Sequence, residues 1–568
     1  INPVFSAKNE YRYKTYNTLL LNAYFTYKFT PYFSFRSTFN HSTYTLTNET
    51  FNNSSSRLGN PRFPSNIRGV NGQWINSLTS HLSNENTLSY ARTLNRIHRV
   101  EGTLGATFSR RNVGRFGFAS QQVPNESLMM SGLDEGIPYE TYASESGWGL
   151  MSFLSRFNYI YRGKYIVTAT MRADGSSKFV PGKRWGYFPS AALGWRMSEE
   201  GFMKEIDNLS NAKLRISYGE TGNNRVSDFA YMSQMAVTSS VAYSYNNNTP
   251  SKGIVPVAIA NEDLTWETAA QFNVGYDLGF FNNRVELILD YYDKTTRDLQ
   301  MYANTPFYIG FPNAYRNIGK LRNSGFEISL NTVNINSKKF TWTSNFNISF
   351  NKNKVLGLSD DEDYLLSSVG WGVNFNSTPL YIAEIGQPAA QFYGYRWDGN
   401  YQYDDFNEVS EGIYVLKDEI TTNGMSRDKI QPGDIKYRDL NGDKVVDSED
   451  LTVLGSAYPI HIGGFTNEFR YKNLTLNVFF QWSYGNKIMN ANRMLFEGNT
   501  LTAQNFNQYA SYIDRWTPEN QNNTLYRTGG QGPIGVYSDR TLEDGSYLRL
   551  KSVSLTYNLP DKIIKRLN

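Results

Sequence analysis

The sequence predicts an all-β protein, a transmembrane antiparallel β-barrel with long extracellular loops and short periplasmic turns. Three observations predict this fold class. Segments of about ten residues with alternating apolar and polar side chains recur along the chain, and a tilted strand needs that length to cross a bilayer. Aromatic residues make up 15% of the 568 residues, yet the mean hydropathy is only −0.52. No apolar run reaches the roughly 18 residues of a membrane helix, which leaves a closed barrel as the spanning architecture.

The first strand signal is the segment TLLLNAYFTYKF. Leu21 and Phe25 fall on one face of a strand, whereas Asn22 and Thr26 largely fall on the other. A turn at Pro31 and a second alternating segment, YFSFRSTFN, complete a predicted hairpin.

The same alternation returns along the rest of the chain. Val100, Leu104 and Phe108 alternate with Glu101 and Thr103. Three further hairpins with short polar turns are predicted: 272–278 with 285–291, 326–330 with 342–350, and 465–471 with 474–480. About 16 to 18 such segments are counted, and many end in Tyr, Phe or Trp, as an interfacial aromatic girdle would. A soluble sandwich, propeller or solenoid is the alternative, but its strands are usually nearer five or six residues long.

Long polar connections separate the short turns. They are residues 47–79, 109–149, 221–267, 356–388, 397–458 and 486–544. Such loops are uncommon in a compact soluble domain, whereas an outer-membrane barrel carries them on its extracellular side.

Charge and cysteine content exclude several kinds of partner and site. The net charge is +4 from 56 basic and 52 acidic residues, which does not indicate nucleic acid as a partner. Cysteine is absent, so disulfides, thiolate metal sites and cysteine nucleophiles are excluded.

Several stretches resemble one known family. They are 172–202 (RADGSSKFVPGKRWGYFPSAALGWRMSEEGF), 214–224 (LRISYGETGNN), 264–299, 317–330 (NIGKLRNSGFEISL), 392–399 (FYGYRWDG), 432–455 (PGDIKYRDLNGDKVVDSEDLTVLG) and 544–560 (DGSYLRLKSVSLTYNLP). Their order and spacing resemble the SusC/RagA family of TonB-dependent transporters of Bacteroidota across essentially the whole chain.

The resemblance implies a barrel of 22 strands with a plugged lumen, in the outer membrane of a Gram-negative cell. Residues 1–568 would be an incomplete TonB-dependent receptor β-barrel domain. The plug and the TonB box would precede residue 1, and the last strands would follow residue 568.

By the same resemblance, the complete protein would actively import oligosaccharides or peptides and would not be an enzyme. Its expected partners are a SusD-like surface lipoprotein, the TonB-ExbB-ExbD complex acting through the TonB box, and outer-membrane lipid. A passive porin, and a surface adhesin or assembly barrel, are the alternatives because both share the period-two pattern.

The sharpest local motif suggests a structural Ca²⁺ site. Oxygen side chains stand at loop positions 1, 3, 5, 9 and 12, with a backbone carbonyl at position 7, as in loops that wrap a hard cation. The predicted ligands are Asp439, Asn441, Asp443, Val445, Asp447 and Asp450. Lys444 stands where such a loop prefers Gly, and Asp450 replaces a longer Glu, so a solvated acidic turn is the alternative.

Catalytic patterns are absent from the sequence. The four histidines, His41, His81, His98 and His461, are scattered, and no HExxH, GxSxG or P-loop motif occurs. No cofactor is required. The aromatic stretches 366–375, 393–397 and 482–484 are candidates for stacking on sugar, with packing in a girdle or loop as the alternative. No single residue is assigned as a substrate contact.

Overall fold

The computed structural model describes residues 3–63, 66–244, 251–311, 313–359, 362–370, 375, 378–498, 507–533 and 535–560. The chain divides into two compact units. Unit 1 comprises Ile1–Trp195, Ser217–Ala270 and Asp298–Asn317, and unit 2 comprises Arg196–Ile216, Gln271–Arg297 and Ile318–Asn568.

Strands dominate both units. Within the described ranges, fifteen strands have eleven or more residues, slightly fewer than the segments counted from the sequence. They are β1 (Glu10–Thr30), β2 (Phe33–Asn52), β3 (Asn71–Leu94), β4 (His98–Gln121), β5 (Ile137–Tyr161), β6 (Tyr165–Ser176), β7 (Trp185–Arg196), β8 (Leu209–Asn223), β9 (Glu267–Phe280), β10 (Val285–Arg297), β11 (Lys320–Asn336), β12 (Phe340–Gly357), β13 (His461–Tyr471), β14 (Leu474–Tyr484) and β15 (Tyr547–Tyr557). Strands β1 to β7 belong to unit 1 apart from the last residue of β7, β10 to β15 belong to unit 2, and β8 and β9 are divided between the units.

In unit 1, each strand from β1 to β6 pairs antiparallel with the next. The turns after β1, β3 and β5 have only two or three residues. Asn95, Arg96 and Arg162 in these turns have φ angles of 49°, 59° and 53°, the left-handed conformation that reverses a chain tightly. The hairpin predicted at Pro31 is confirmed.

One face of the unit 1 sheet is apolar, as the alternation predicts. Leu104 of β4 lies opposite Leu88 of β3, and Phe108 of β4 lies opposite Met151 of β5. Because side chains alternate between the faces of a strand, these registered positions extend one apolar face across neighbouring strands. Leu104 is 56% exposed, so this face has no protein cover there.

The other face of the same sheet is polar and hydrogen-bonded. The Asn158 amide donates to Glu101 Oε2 at 2.9 Å, and the Thr168 hydroxyl donates to Asn158 Oδ1 at 2.8 Å. The Arg172 guanidinium donates to Asp174 Oδ2 at 2.8 Å further along. Polar ladders therefore connect β4, β5 and β6 on the face opposite the apolar one.

Unit 2 repeats this arrangement. Leu330 of β11 lies opposite Leu287 of β10 and Phe346 of β12. Phe465 of β13 in turn lies opposite Phe346 and opposite Phe480 of β14. The neighbouring pairs Glu286 with Asn331, and Asn331 with Asn345, align on the opposite, polar face. The three predicted hairpins are confirmed as neighbouring antiparallel strands.

The predicted limits of two long connections are wrong. Strands β2 and β3 stay paired out to Asn52 and Asn71, and β4 and β5 stay paired out to Gln121 and Ile137. The connections are therefore 53–70 and 122–136. The strand ends carry apolar residues such as Phe51, Ile75 and Val113 without the regular alternation that marks a strand, although their backbone groups still pair.

The remaining elements are short. The short strands are Gln234–Tyr243, Ser251–Ala258, Gln300–Asn304, Asn313–Asn317, Tyr364–Ser368, Pro379–Glu384, Gln391–Gly394, Trp397–Asn400, Phe406–Ser410, Ile413–Leu416, Ile435–Tyr437, Thr452–Ser456, Lys487–Met489 and Leu542–Asp544. In the described residues, the α-helices are Pro3–Asn9, Gly201–Lys204 and Ala491–Phe496, and Glu126–Glu135 consists of 3₁₀ turns interrupted by a kink at Met129. Across the residues that the structure describes, no helix has the length and apolar character needed to span a membrane.

Candidate functional site

The long connections of unit 2 fold into a packed body, which we call the loop body (residues 378–458, 486–498, 507–533 and 535–546). Three buried clusters form its interior. They are Leu380, Phe392, Leu454 and Tyr537; Tyr401, Phe406, Leu416 and Ile430; and Ile435, Tyr437, Val446 and Tyr526. Two of the clusters combine residues from the connection before β13 with residues from the connection before β15. The predicted loops are thus folded parts of unit 2 with their own apolar interior.

The acidic motif forms one tight turn on the loop body. Asp439 Oδ1 accepts the Gly442 N–H at 2.6 Å, and Asp439 Oδ2 accepts the Lys444 N–H at 2.7 Å. Asn441 Oδ1 accepts the Asp443 N–H at 3.0 Å. Lys444 has a φ of 69°, so it adopts the left-handed conformation for which this loop position usually uses Gly.

Asp450 closes the turn from its other end. The residue is fully buried; its Oδ1 accepts the Leu440 N–H at 2.6 Å and its Oδ2 accepts the Asp447 N–H at 2.9 Å. Val446 is also buried, in the cluster with Tyr437. The Asp450 carboxylate therefore closes the turn, and the Val446 side chain packs it against the loop body.

The structure brings all six predicted metal ligands into this one turn: Asp439, Asn441, Asp443, Val445, Asp447 and Asp450. Their oxygens are the donor type that a hard cation prefers. The Asn441 amide nitrogen, however, donates to Asp443 Oδ2 at 3.3 Å and to Glu449 Oε2 at 3.2 Å. Among the described residues, no group of three or more His, Asp or Glu side chains is placed to hold a metal ion. A bound cation would displace the contacts of the Asn441 amide, and Ca²⁺ binding stays a prediction.

The aromatic stretch 393–397 packs inside the loop body. Tyr395 stacks on Tyr437 with 5.2 Å between ring centroids, and the Trp397 indole N–H donates to the Gly399 carbonyl at 3.0 Å. Burial raises the pKa of Tyr395, and the charges of Asp450 and Asp447 raise it further. These contacts favour the packing interpretation of this stretch over sugar stacking.

The other two aromatic stretches, 482–484 and 366–375, give less evidence on sugar stacking. The Trp482 indole N–H donates to His461 Nδ1 at 3.2 Å, and its ring lies 5.7 Å from that of Phe346. Tyr484 stacks on His461 and is half exposed. These rings sit on long strands, as a girdle would. In the stretch 366–375, residues 371–374 lie outside the described ranges.

Two ion pairs, each with a buried carboxylate, were not singled out from the sequence. Asp434 is almost fully buried and accepts a hydrogen bond from Arg527 Nε at 2.6 Å. Burial raises the pKa of Asp434, although the charge of Arg527 opposes this rise. Arg540 donates to Glu497 Oε2 at 3.1 Å, with both residues buried. The partners are 93 and 43 residues apart in the chain, so no local sequence pattern could have revealed them.

The four histidines lie on four different strands, β2, β3, β4 and β13. His81 Nε2 lies 2.7 Å from the Ser109 hydroxyl, and His98 Nδ1 lies 2.7 Å from the Tyr159 hydroxyl. His81 and His98 thus have different hydroxyl partners, on β4 and β5.

Comparisons with known proteins give the family. The profile of the family described as "TonB dependent receptor-like, beta-barrel" matches residues 2–423. TonB-dependent receptor P26 of Formosa agariphila is 32% identical over 485 residues, which are 85% of this chain and 46% of that protein. TonB-dependent receptor SusC of Bacteroides thetaiotaomicron is 30% identical over 446 residues, 75% of this chain and 41% of that protein. The chain thus spans about half the length of the curated relatives that it matches.

A solved structure titled "Structure of the RagAB peptide transporter" has a similar fold. Its TM-score is 0.80 at 22% sequence identity, and the match covers 98% of this chain and 57% of that chain. The resemblance to the SusC/RagA family and the all-β antiparallel fold class are confirmed. The paired strands have one apolar and one polar face, which is consistent with the β-barrel that the family profile describes. The chain belongs to the TonB-dependent receptor-like β-barrel family.

Proposed function

We propose that the complete protein is an outer-membrane importer that uses TonB-coupled energy to bring in oligosaccharides or peptides. This proposal rests on one observation: in a chain of this family, the paired strands align their apolar side chains on one face of the sheet and their polar side chains on the other. An apolar face suits contact with lipid, and a hydrogen-bonded polar face suits an aqueous lumen. Residues 1–568 would all belong to the β-barrel domain, with plug and TonB box in other parts of the protein.

The proposed partners are a SusD-like lipoprotein and the TonB-ExbB-ExbD complex. The similarity to SusC, and the fold shared with a RagAB peptide transporter, support this choice. A folded loop body, with its own buried clusters, would offer such a lipoprotein a firm docking surface.

Uptake by intact cells tests this function. Fluorescently labelled oligosaccharides and peptides would be supplied to wild-type cells, to a deletion strain, and to wild-type cells treated with a protonophore. Active import predicts uptake of at least one of these substrates that is lost in the deletion strain and after the protonophore. Uptake that survives the protonophore would instead indicate a porin, and unchanged uptake in the deletion strain would indicate an adhesin or assembly barrel.

Ca²⁺ at residues 439–450 is a second, structural part of the proposal. The donor set and the left-handed turn at Lys444 support it, and the metal would hold the turn without taking part in transport. The full-length protein would be titrated with Ca²⁺ by calorimetry. An Asp439→Asn and Asp443→Asn double variant is expected to bind at least tenfold more weakly. Wild-type protein with no measurable Ca²⁺ binding would leave the solvated-turn alternative.

A further inference from the structure

Unit 1 contains a cavity of about 800 Å³ whose charged lining residues are all arginines. Arg12 comes from β1, and Arg57 and Arg68 come from the connection 53–70. The lining also includes Thr50, Asn52, Asn71, Gln73 and Tyr139. None of the described residues that line the cavity is Asp or Glu.

The cavity lies on the polar face of the sheet. Arg12 of β1 is directly opposite Thr50 of β2, and Thr50 is opposite Gln73 of β3. Asn22 lies ten residues beyond Arg12 on β1, with no register shift between them, so both side chains point to the same face. In the proposed importer, this is the face turned toward the path of the ligand.

Two buried asparagines hold the cavity in shape. The Asn52 amide donates to Asn71 Oδ1 at 2.9 Å, and the Asn71 amide donates to the carbonyls of Leu58 and Gly69 at 2.9 and 2.7 Å. Asn52 Oδ1 also accepts a hydrogen bond from Arg12 at 2.7 Å. Both asparagines are 6% exposed. The connection is therefore fixed to the strand ends, and the Arg12 guanidinium is held in place before any ligand arrives.

The charge around the cavity is strongly one-sided. The Arg68 guanidinium lies over the ring of Tyr139 at 4.4 Å, which orients it. Arg12 has one carboxylate neighbour, Glu10, at 3.4 Å. The connection 53–70 contains three arginines, the third being Arg62, and no Asp or Glu. Guanidinium groups bind carboxylate and sulfate oxygens through paired hydrogen bonds, so an anionic ligand matches this lining.

We propose that this cavity binds a segment of an anionic oligosaccharide, one that carries carboxylate or sulfate groups. The arginines would bind the anionic groups, and the hydroxyl and amide groups of Thr50 and Gln73 would bind sugar hydroxyls. The Tyr139 ring adds an apolar surface. A volume of about 800 Å³ lies in the range of small-ligand sites, so it accommodates a short segment of a longer chain. This inference rests on the proposed import function and names the substrate class.

Binding measurements on the full-length protein in detergent test the inference. The probes are tetragalacturonate, a heparin-derived tetrasaccharide, neutral maltotetraose and a tetraglutamate peptide, each measured by calorimetry at low and at physiological salt. At least one anionic tetrasaccharide is expected to bind at least tenfold more tightly than maltotetraose. An Arg57→Gln and Arg68→Gln double variant should weaken that binding at least tenfold.

Arg62→Gln is the matched control, because Arg62 belongs to the same connection but does not line the cavity. It should change affinity less than twofold, and circular dichroism should show that both variants are folded. Equal binding of neutral and anionic sugars, no binding of any probe, or an unaffected double variant would overturn the inference. If tetraglutamate bound more tightly than both anionic tetrasaccharides, the sugar proposal would be overturned and the ligand class would be an acidic peptide. Protonophore-sensitive uptake of neutral substrates alone would refute the anionic class while leaving active import intact.

Discussion

A lysine placed on the apolar face of β14 should destabilise the protein much more than a lysine on its polar face. Val478 lies opposite Val553 of β15, which is 56% exposed, so its face would contact lipid in the proposed membrane location. Asn477, the adjacent residue, points to the polar face and lies opposite Ser554 and Glu468. Val478→Lys and Asn477→Lys therefore form a matched pair that differs in face and hardly in depth.

The free-energy cost expected for each lysine follows from its position along β14. A strand that rises about 3.4 Å per residue and tilts by about 45° advances about 2.4 Å per residue across the membrane. Val478 is four residues from the start of β14, so it lies about 10 Å into an apolar band of about 25 Å. Near the midplane a lysine costs about 2 to 4 kcal/mol, and this cost falls toward the interface. We expect about 3 kcal/mol for Val478→Lys, about 1 to 2 kcal/mol for Leu476→Lys, and under about 0.5 kcal/mol for Asn477→Lys.

The assay is reversible guanidinium unfolding of the full-length protein in lipid vesicles, followed by tryptophan fluorescence. The free energy of unfolding should rank the variants in the order given. Equal losses for Val478→Lys and Asn477→Lys would refute the assignment of the two faces. A loss at Leu476 as large as at Val478 would refute the depth argument.

Three further predictions concern the loop body, and each is measured by limited proteolysis and compared with wild-type protein. Asp450→Ala removes the buried carboxylate that accepts the Leu440 and Asp447 N–H groups, so it should open the turn at a cost of about 1 to 3 kcal/mol and speed cleavage there; unchanged cleavage would contradict this role. Arg527→Gln leaves Asp434 buried without its cation. The pKa of Asp434, already raised by burial, should then rise further. The native state then holds the Asp434 proton more tightly than the unfolded chain does. Relative to wild type, this variant should therefore become more resistant to proteolysis as the pH falls through the raised pKa, and less resistant as the pH rises. Resistance that does not change with pH relative to wild type would refute this prediction. Gly433→Ala should destabilise by about 2 kcal/mol or more, because Gly433 has a φ of 85° and an added Cβ would lie 2.3 Å from the Trp516 ring; cleavage at the wild-type rate would refute it.

The candidate metal turn was largely predictable, because its chemistry depends on close spacing. Asp439 and Asp443 accept backbone N–H groups within five residues of themselves, so the turn is local and the order of its candidate ligands can be read from the chain. The cavity in unit 1 was not predictable in the same way. Arg12 and Arg57 line one space only because β1 and β2 pair and the following connection returns to the strand ends.

By itself, the sequence determined the fold class, the family resemblance and the two-faced character of the strands. It did so because side chains on a strand alternate with a period of two, so residues such as Leu104 and Glu101 reveal their faces without knowledge of their neighbours. The tertiary structure alone decided where strands end and what the connections become. Backbone pairing extends β4 to Gln121, beyond the limit that side-chain alternation predicted, and a hydrogen bond joins buried Asp434 to Arg527 across 93 residues. Both depend on contacts between distant segments, which spacing along the chain does not encode.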